Sequence, residues 1–316
     1  MRYRLVVPVL VALLAVMSGC TERRGGNVKA TRDFALTSPW NDFQTVVVES
    51  RNGSIEIGVA DVREVEIDGR MSVRGMTRAD ADAALERMRI DVDPAADAGR
   101  TLTIRLVVPD ELRQQSPSAG LKVRVPQGCA VRLTTSNGSI EAGGLKDRAE
   151  LRTSNASVTV TDFAGRVDIR TSNGSVVARR VDGPVDAQSS NASITVEEVG
   201  GDCTLATTNG SITLRDVQGS VRARTSNASI GCDVQPPAGA SVVLETSNGK
   251  VDVTLPETLA AELTLVTSNG KISTAFGNAQ VNMREMGNKS VRATMNGGGG
   301  RVEARTSNGA ITFGVR

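Results

Sequence analysis

Nine asparagines occur in the setting Thr-Ser-Asn-Gly or a near variant: Asn137, Asn155, Asn173, Asn191, Asn209, Asn227, Asn248, Asn269 and Asn308. The first six are 18 residues apart, the step widens to 21 for Asn248 and Asn269, and the motif returns at Asn308. An earlier isolated copy is Arg51-Asn52-Gly53-Ser54-Ile55. A carboxamide both donates and accepts hydrogen bonds, so like amides stacked at one position can form an internal, structural ladder. Open to a ligand, the same stripe has the chemistry to hold a glycan or an ion. Asn also tolerates left-handed backbone. Its successor alternates between Gly and Ala (Gly138, Ala156, Gly174, Ala192, Gly210, Ala228), so the Asn is expected to carry the unusual φ.

The remaining chemistry is sparse. The 316 residues include no histidine, which removes the commonest general base, the commonest zinc ligand and every Ser-His or Cys-His pair. Calcium-binding β-rolls carry an Asp two residues after a glycine pair, and these corners have none. Neither metal nor cofactor is expected. Asn-Gly-Ser and Asn-Ala-Ser also fit the N-glycosylation acceptor pattern, a coincidence in a chain with the bacterial export signal described below. Cys203 and Cys232 fall on inward positions of the repeat and Cys129 one inward step before Val131, which reads as small buried apolar residues without a disulfide. Outward positions carry Arg132, Arg152, Arg170, Arg180, Arg222 and Arg224, interleaved with Asp168, Asp186 and Asp216. This is a solvated mixed-charge face, or a face for an anionic ligand. Paired carboxylates for glycoside hydrolysis need a cleft; short repeats leave no long loops to build one, and Trp40 is the only tryptophan. The chain is expected not to be an enzyme. With 37 basic and 35 acidic residues, nothing points to nucleic acid.

The elements that position these residues follow from alternation. In Val167 to Pro184, Val167, Ile169 and Thr171 alternate with polar residues; Val176, Ala178 and Val181 follow, and the next units repeat the pattern. Period 2 means strand. Each unit is two short strands joined at the Asn corner, with a third edge near Val181-Asp182-Gly183. One unit cannot bury its apolar face alone, so units must stack. The expected fold is all-β: a right-handed parallel β-helix, since the apolar offsets lack the six-residue repeat of left-handed coils. Upstream, residues 43–49, 54–59, 63–73 and 101–108 read as strands. Thr77-Arg78-Ala79-Asp80 reads as the start of a helix over about 78–89, packed over the open end of the stack.

The N-terminus reads as an address. Arg2 and Arg4 precede an apolar run from Leu5 to Met17 that ends in Ser18-Gly19-Cys20. At 1.5 Å per residue this run reaches roughly 20 Å, too short for a membrane span of about 30 Å. It fits a secretory signal, and its end resembles the bacterial lipobox, with Cys20 acylated. Residues 1–19 are then the signal and 20–41 the lipidated cysteine and a pattern-free tether. A β-rich cap occupies 42–126 and the solenoid 127–316. Thr21 after the cysteine favours the outer membrane, facing the periplasm or the surface.

The repeated Thr-Ser-Asn-Gly-Ser-Ile units, the upstream strand-helix-strand and the lipobox together resemble the DUF4097 family of adhesin-like proteins, over about Phe43 to Arg316. The resemblance implies a right-handed β-solenoid at the cell envelope and brings no catalytic residues. The expected role is an adhesin-like binding or structural lipoprotein, whose partners are the membrane through its anchor and an envelope glycan or protein. An envelope-stress sensor is the alternative reading, and a β-helix polysaccharide lyase or hydrolase a third.

Overall fold

The computed structural model describes residues 28–41, 43–61, 64–94 and 100–316; the signal segment and Cys20 lie outside them. The chain forms two compact units, one ending at Asp147 and the other covering Arg148–Arg316. In both, nearly all the regular structure is β-strand.

In the second unit the 18-residue repeat becomes a stack of two-stranded rungs. The first strands, from Ala149–Arg152 through Val167–Arg170, Val185–Gln188 and Cys203–Ala206 to Val221–Arg224, pair in parallel in one sheet. The second strands, from Val158–Phe163 to Ile230–Asp233, pair in parallel in the other. The register puts like on like: Val176, Ile194, Ile212, Ile230 and Val251 form one inward column. Every member is at most 1% exposed. Backbone donors and acceptors that one strand leaves open are met by the rungs on either side.

The last rung in sequence is not the last in space. Gly300–Thr306 lies between Ser241–Glu245 and Ala261–Thr267, and Ile311–Val315 between Val251–Leu255 and Ile272–Ala275. The chain leaves a slot of one rung, makes the next rung, and returns to fill the slot. Antiparallel strands Ser290–Met295 and Val281–Met286 then extend one sheet further.

The first unit has the same device at its beginning. The rung Thr45–Glu49 plus Ile55–Val59 is held between Thr101–Val107 plus Ser118–Val125 on one side and Ala130–Thr134 plus Ile140–Gly143 on the other. The helix is Arg78–Glu86, three residues shorter at its end than expected. Thr77 and Asp80 form a reciprocal capping box. Ala81, Ala84, Leu85 and Met88 pack on Ala30, Met71, Val73, Leu112 and Ala119.

The expected tether over 20–41 requires correction: Val28–Pro39 is a twelve-residue strand, paired antiparallel along its whole length with Glu64–Gly75. Its even positions face inward, but Arg32 stands among them and interrupts the apolar pattern. The Arg32 guanidinium donates to the Met88 carbonyl at 3.0 Å, just beyond the helix end.

Cys129, Cys203 and Cys232 are buried and unpaired with one another. Burial, with the nearby charge of Asp202, pushes the Cys203 thiol up to about 12. An unfolded thiol ionises near about 8.5, so this group's stabilising contribution is complete below that pH and is lost as pH rises towards 12. The slope is about 1.4 kcal/mol per pH unit. Cys203 stands between Val185 and Val221 in its column, so valine fits there. Cys203→Val should therefore lose about 1–2 kcal/mol less stability than wild type between pH 7 and pH 10, measured by urea unfolding. Equal losses would contradict the account.

Candidate functional site: the asparagine corner and the outer faces

The strand-to-strand corner at residues 171–174 buries its first and last residues and exposes the two between them. In Thr171-Ser172-Asn173-Gly174 the Thr is buried, Ser172 and Asn173 are exposed, and Gly174 is buried again. Packing allows no side chain at Gly174, where a Cβ would lie 1.6 Å from the Ala156 carbonyl oxygen.

The asparagines bond to one another along the stack. Each Nδ2 donates to the Oδ1 of the asparagine one rung away: Asn173 to Asn155 at 2.8 Å, Asn191 to Asn173 at 2.7 Å, Asn209 to Asn191 at 2.8 Å and Asn227 to Asn209 at 2.7 Å. The column continues through Asn248 and Asn308 to Asn269, following the spatial order of rungs rather than the order in sequence. In the first unit Asn137 donates to Asn52 and Asn52 to the Pro117 carbonyl.

Two expectations about these asparagines are corrected. The ladder is not internal; it runs along the solvent-facing side of the corner. Nor does any corner Asn hold a positive φ. Left-handed backbone falls instead at the third edge, on Asp162, Arg180, Glu198 and Asp216, with φ between 51° and 56°. Each is skipped in the ladder pairing, as where Thr161 pairs with Arg179 and Phe163 with Val181, so one exposed residue bulges out before the next inward one.

The interior of the corner belongs to a hydroxyl. Thr135, Thr153, Thr171, Ser189, Thr207, Thr225, Thr246, Thr267 and Thr306 are all buried. In Thr207 the Oγ accepts from the Gly210 N–H at 3.3 Å and donates to the Ala192 carbonyl of the neighbouring rung at 3.2 Å. Thr246 and Thr306 repeat both bonds. Sequence reasoning placed this residue inward but missed its bridging role. The available signal was that all nine repeats carry a hydroxyl there, where any β-branched apolar residue would have kept the alternation.

The outer faces carry charge in aligned columns. Arg179 and Arg215 flank Glu197 from adjacent rungs, at 2.8 and 3.0 Å. Their hydrogen bonds, that of Arg179 foremost, hold the Glu197 carboxyl below its usual range. Arg180 pairs with Asp162 at 2.7 Å. Asp168 is buried between Arg148 and Arg166, Arg152 pairs with Glu150, and Arg224 meets Glu245 at 2.9 Å. Arg170 and Arg222 are exposed and have no ion-pair partner among the described residues. Arg132 and Asp186 point outward on the same type of face, and Asp216 meets Arg316 at 3.4 Å.

One open cavity of about 320 Å³ lies in the first unit beside Asn52, lined by Arg51, Arg105, Arg113 and Pro117 among others. There the tight corner gives way to the short helix Asp110–Gln115. Arg105 and Arg113 already pair with Asp93 and Asp110.

The sequence matches the family described as Toastrack DUF4097 over residues 99–313. No curated protein matches it. Solved structures that align with it include a "putative adhesin" from Bacteroides fragilis, with 12% identity and a TM-score of 0.34, covering 92% of this chain and 97% of that one. Another "putative adhesin", from Parabacteroides distasonis, has 11% identity and a TM-score of 0.36, covering 89% and 96%. A "putative cell adhesion protein" from Clostridium sporogenes has 8% identity and a TM-score of 0.23, covering 91% and 100%.

The two corner groups separate by mutation. Thr207→Val keeps shape but strands a buried N–H and a carbonyl, and should lose about 1–3 kcal/mol. Asn191→Ala removes an amide that water can replace, and should lose about 1 kcal/mol or less. Thermal and urea unfolding of both variants checks the order; a larger loss for Asn191→Ala would make the amide ladder the main tie.

Proposed function

The chain belongs to the Toastrack DUF4097 family, and from that premise we propose that it is a non-catalytic, adhesin-like binding protein held at the bacterial envelope by an acylated Cys20. The observation that carries the reading is register: outward side chains stand in columns along the stack, each about 4.8 Å from the next. The Asn155–Asn227 amides form one such column and the charged pairs around Glu197 another. Groups arranged in this way suit many weak contacts with an extended partner, and many anchored copies on one cell add avidity. An envelope glycan is the partner whose repeating hydroxyls fit such a face.

Two measurements test the proposal. Purified envelope glycans and peptidoglycan, assayed for both retention and cleavage, should be retained uncleaved. Removing Arg170, Arg222 and Arg224 together should weaken retention several-fold, with each single substitution giving a smaller effect. Turnover of any glycan, eliminated by one carboxylate substitution, would replace binding by catalysis as the function. For the anchor, Cys20→Ser should abolish lipid labelling and release the chain from the membrane fraction with its fold unchanged. A variant that stays membrane-bound would refute the anchor.

A further inference from the structure

Three large apolar side chains are exposed among the described residues, and two of them, Met283 at 36% and Met286 at 72%, lie on one strand. That strand, Val281–Met286, is the last of its sheet and pairs on one side only, with Ser290–Met295. The opposite sheet stops earlier, at Ile272–Ala275, the rung partner of Ala261–Thr267. The end of the second unit is therefore stepped, with one sheet projecting two strands, about 10 Å, beyond the other. Such an edge leaves a row of backbone donors and acceptors unpaired.

A register shift between Met283 and Glu285 sorts the side chains of this strand. Met283 lies opposite Ala293 and Met286 opposite Val291, both buried, so both methionines are on the core-facing side. Arg284 reaches Glu262 at 3.3 Å and Glu285 reaches Arg292 at 3.6 Å, so the two charges share the solvent-facing side. Two such strands, run antiparallel about a two-fold axis through the bulge, match over the four positions Met283–Met286. Arg284 meets Glu285 of the other copy and Met283 meets Met286, polar with polar and apolar with apolar. The existing ion pairs are long and exposed, and exposed pairs of this kind contribute little. They can exchange partners readily.

We propose that Val281–Met286 is a homodimer interface, on which a second copy of this chain pairs antiparallel and covers Met283 and Met286. The charge order makes a second copy the occupant: the strand carries one cation and one anion, adjacent and reversed in the partner. An isologous contact requires this self-complementarity.

The test is sedimentation velocity on the full chain in a mild detergent, from 1 to 100 µM. Wild type should sediment as a dimer at the upper concentrations. Met286→Lys should raise the dissociation constant at least ten-fold with an unchanged thermal melt. Arg284→Glu and Glu285→Arg should each weaken the dimer, because each places like charges opposite one another. The double exchange should restore it, since it rebuilds the same two pairs in reverse. A wild type that stays monomeric at 100 µM overturns the proposal, as does a dimer indifferent to Met286→Lys. Failure of the double exchange to rescue would assign the edge to a different partner and refute self-pairing.

Discussion

A rung of this protein cannot satisfy its own backbone. Its two strands are too far apart to bond to each other, so every N–H and C=O that points along the axis depends on the next rung. The same is true of its side chains, since one rung has only a single layer of valine, isoleucine and alanine to bury. Stacking meets both needs at once, and it ties side-chain identity to position. The columns at Val176 and Ile194, at Thr171 and Ser189, and at Asn173 and Asn191 repeat because each member is the neighbour of the one before. The corner hydroxyl extends this dependence into the turn, where no strand pairing exists, by joining its own rung's N–H to a carbonyl of the next.

A stack held in this way is weakest where the parallel ladder ends. Both units meet the problem in the same manner. Thr45–Val59 is held between two rungs that follow it in sequence, and Gly300–Val315 between two that precede it. Neither segment occupies an outermost rung, where it could fray singly. Beyond them the ladder changes from parallel to antiparallel, through Val28–Pro39, Glu64–Gly75 and Arg89–Pro94 in the first unit and Ser290–Met295 in the second. In the first unit a capped helix then covers the apolar residues. In the second unit the corresponding apolar positions include the exposed methionines.

The periodic part of this design is legible in the sequence because the physics is local: inward alternation, a punctuating corner and a fixed step suffice to place Val167, Ile194 or Asn209. The helix was legible for the same reason, through Thr77 and Asp80. Three features were not. Arg32 hid the strand Val28–Pro39, since its guanidinium bonds to a carbonyl 56 residues away. The return of Gly300–Val315 into an earlier slot shows in the sequence only as a longer step, 39 residues from Asn269 to Asn308, which an insertion between successive rungs would equally produce. The corner threonines looked like ordinary strand residues, because β-branched shape and hydroxyl bonding predict the same buried position.

Register also limits what the outer faces can present. Like charges about 4.8 Å apart repel by roughly 1 kcal/mol even in water, and a column places them at that spacing rung after rung. Several columns alternate: Arg179, Glu197 and Arg215 in one, Asp162 and Arg180 at the start of the next; where arginines follow one another, at Arg152 and Arg170, Glu150 pairs with the first. Where acids do follow one another, at Glu150, Asp168 and Asp186, arginines of the flanking columns neutralise the first two. A face built under this rule offers little net field and many oriented hydrogen-bonding groups. It is poorly suited to steering a polyanion from a distance and better suited to matching a partner that repeats along its own length. Adjacent groups also point the same way rather than towards a common centre, whereas catalysis needs convergence. The repeat breaks at the Asp110–Gln115 turn, where side chains can be aimed at one another without the constraint of the rung spacing. The rungs themselves present their outward groups in parallel columns.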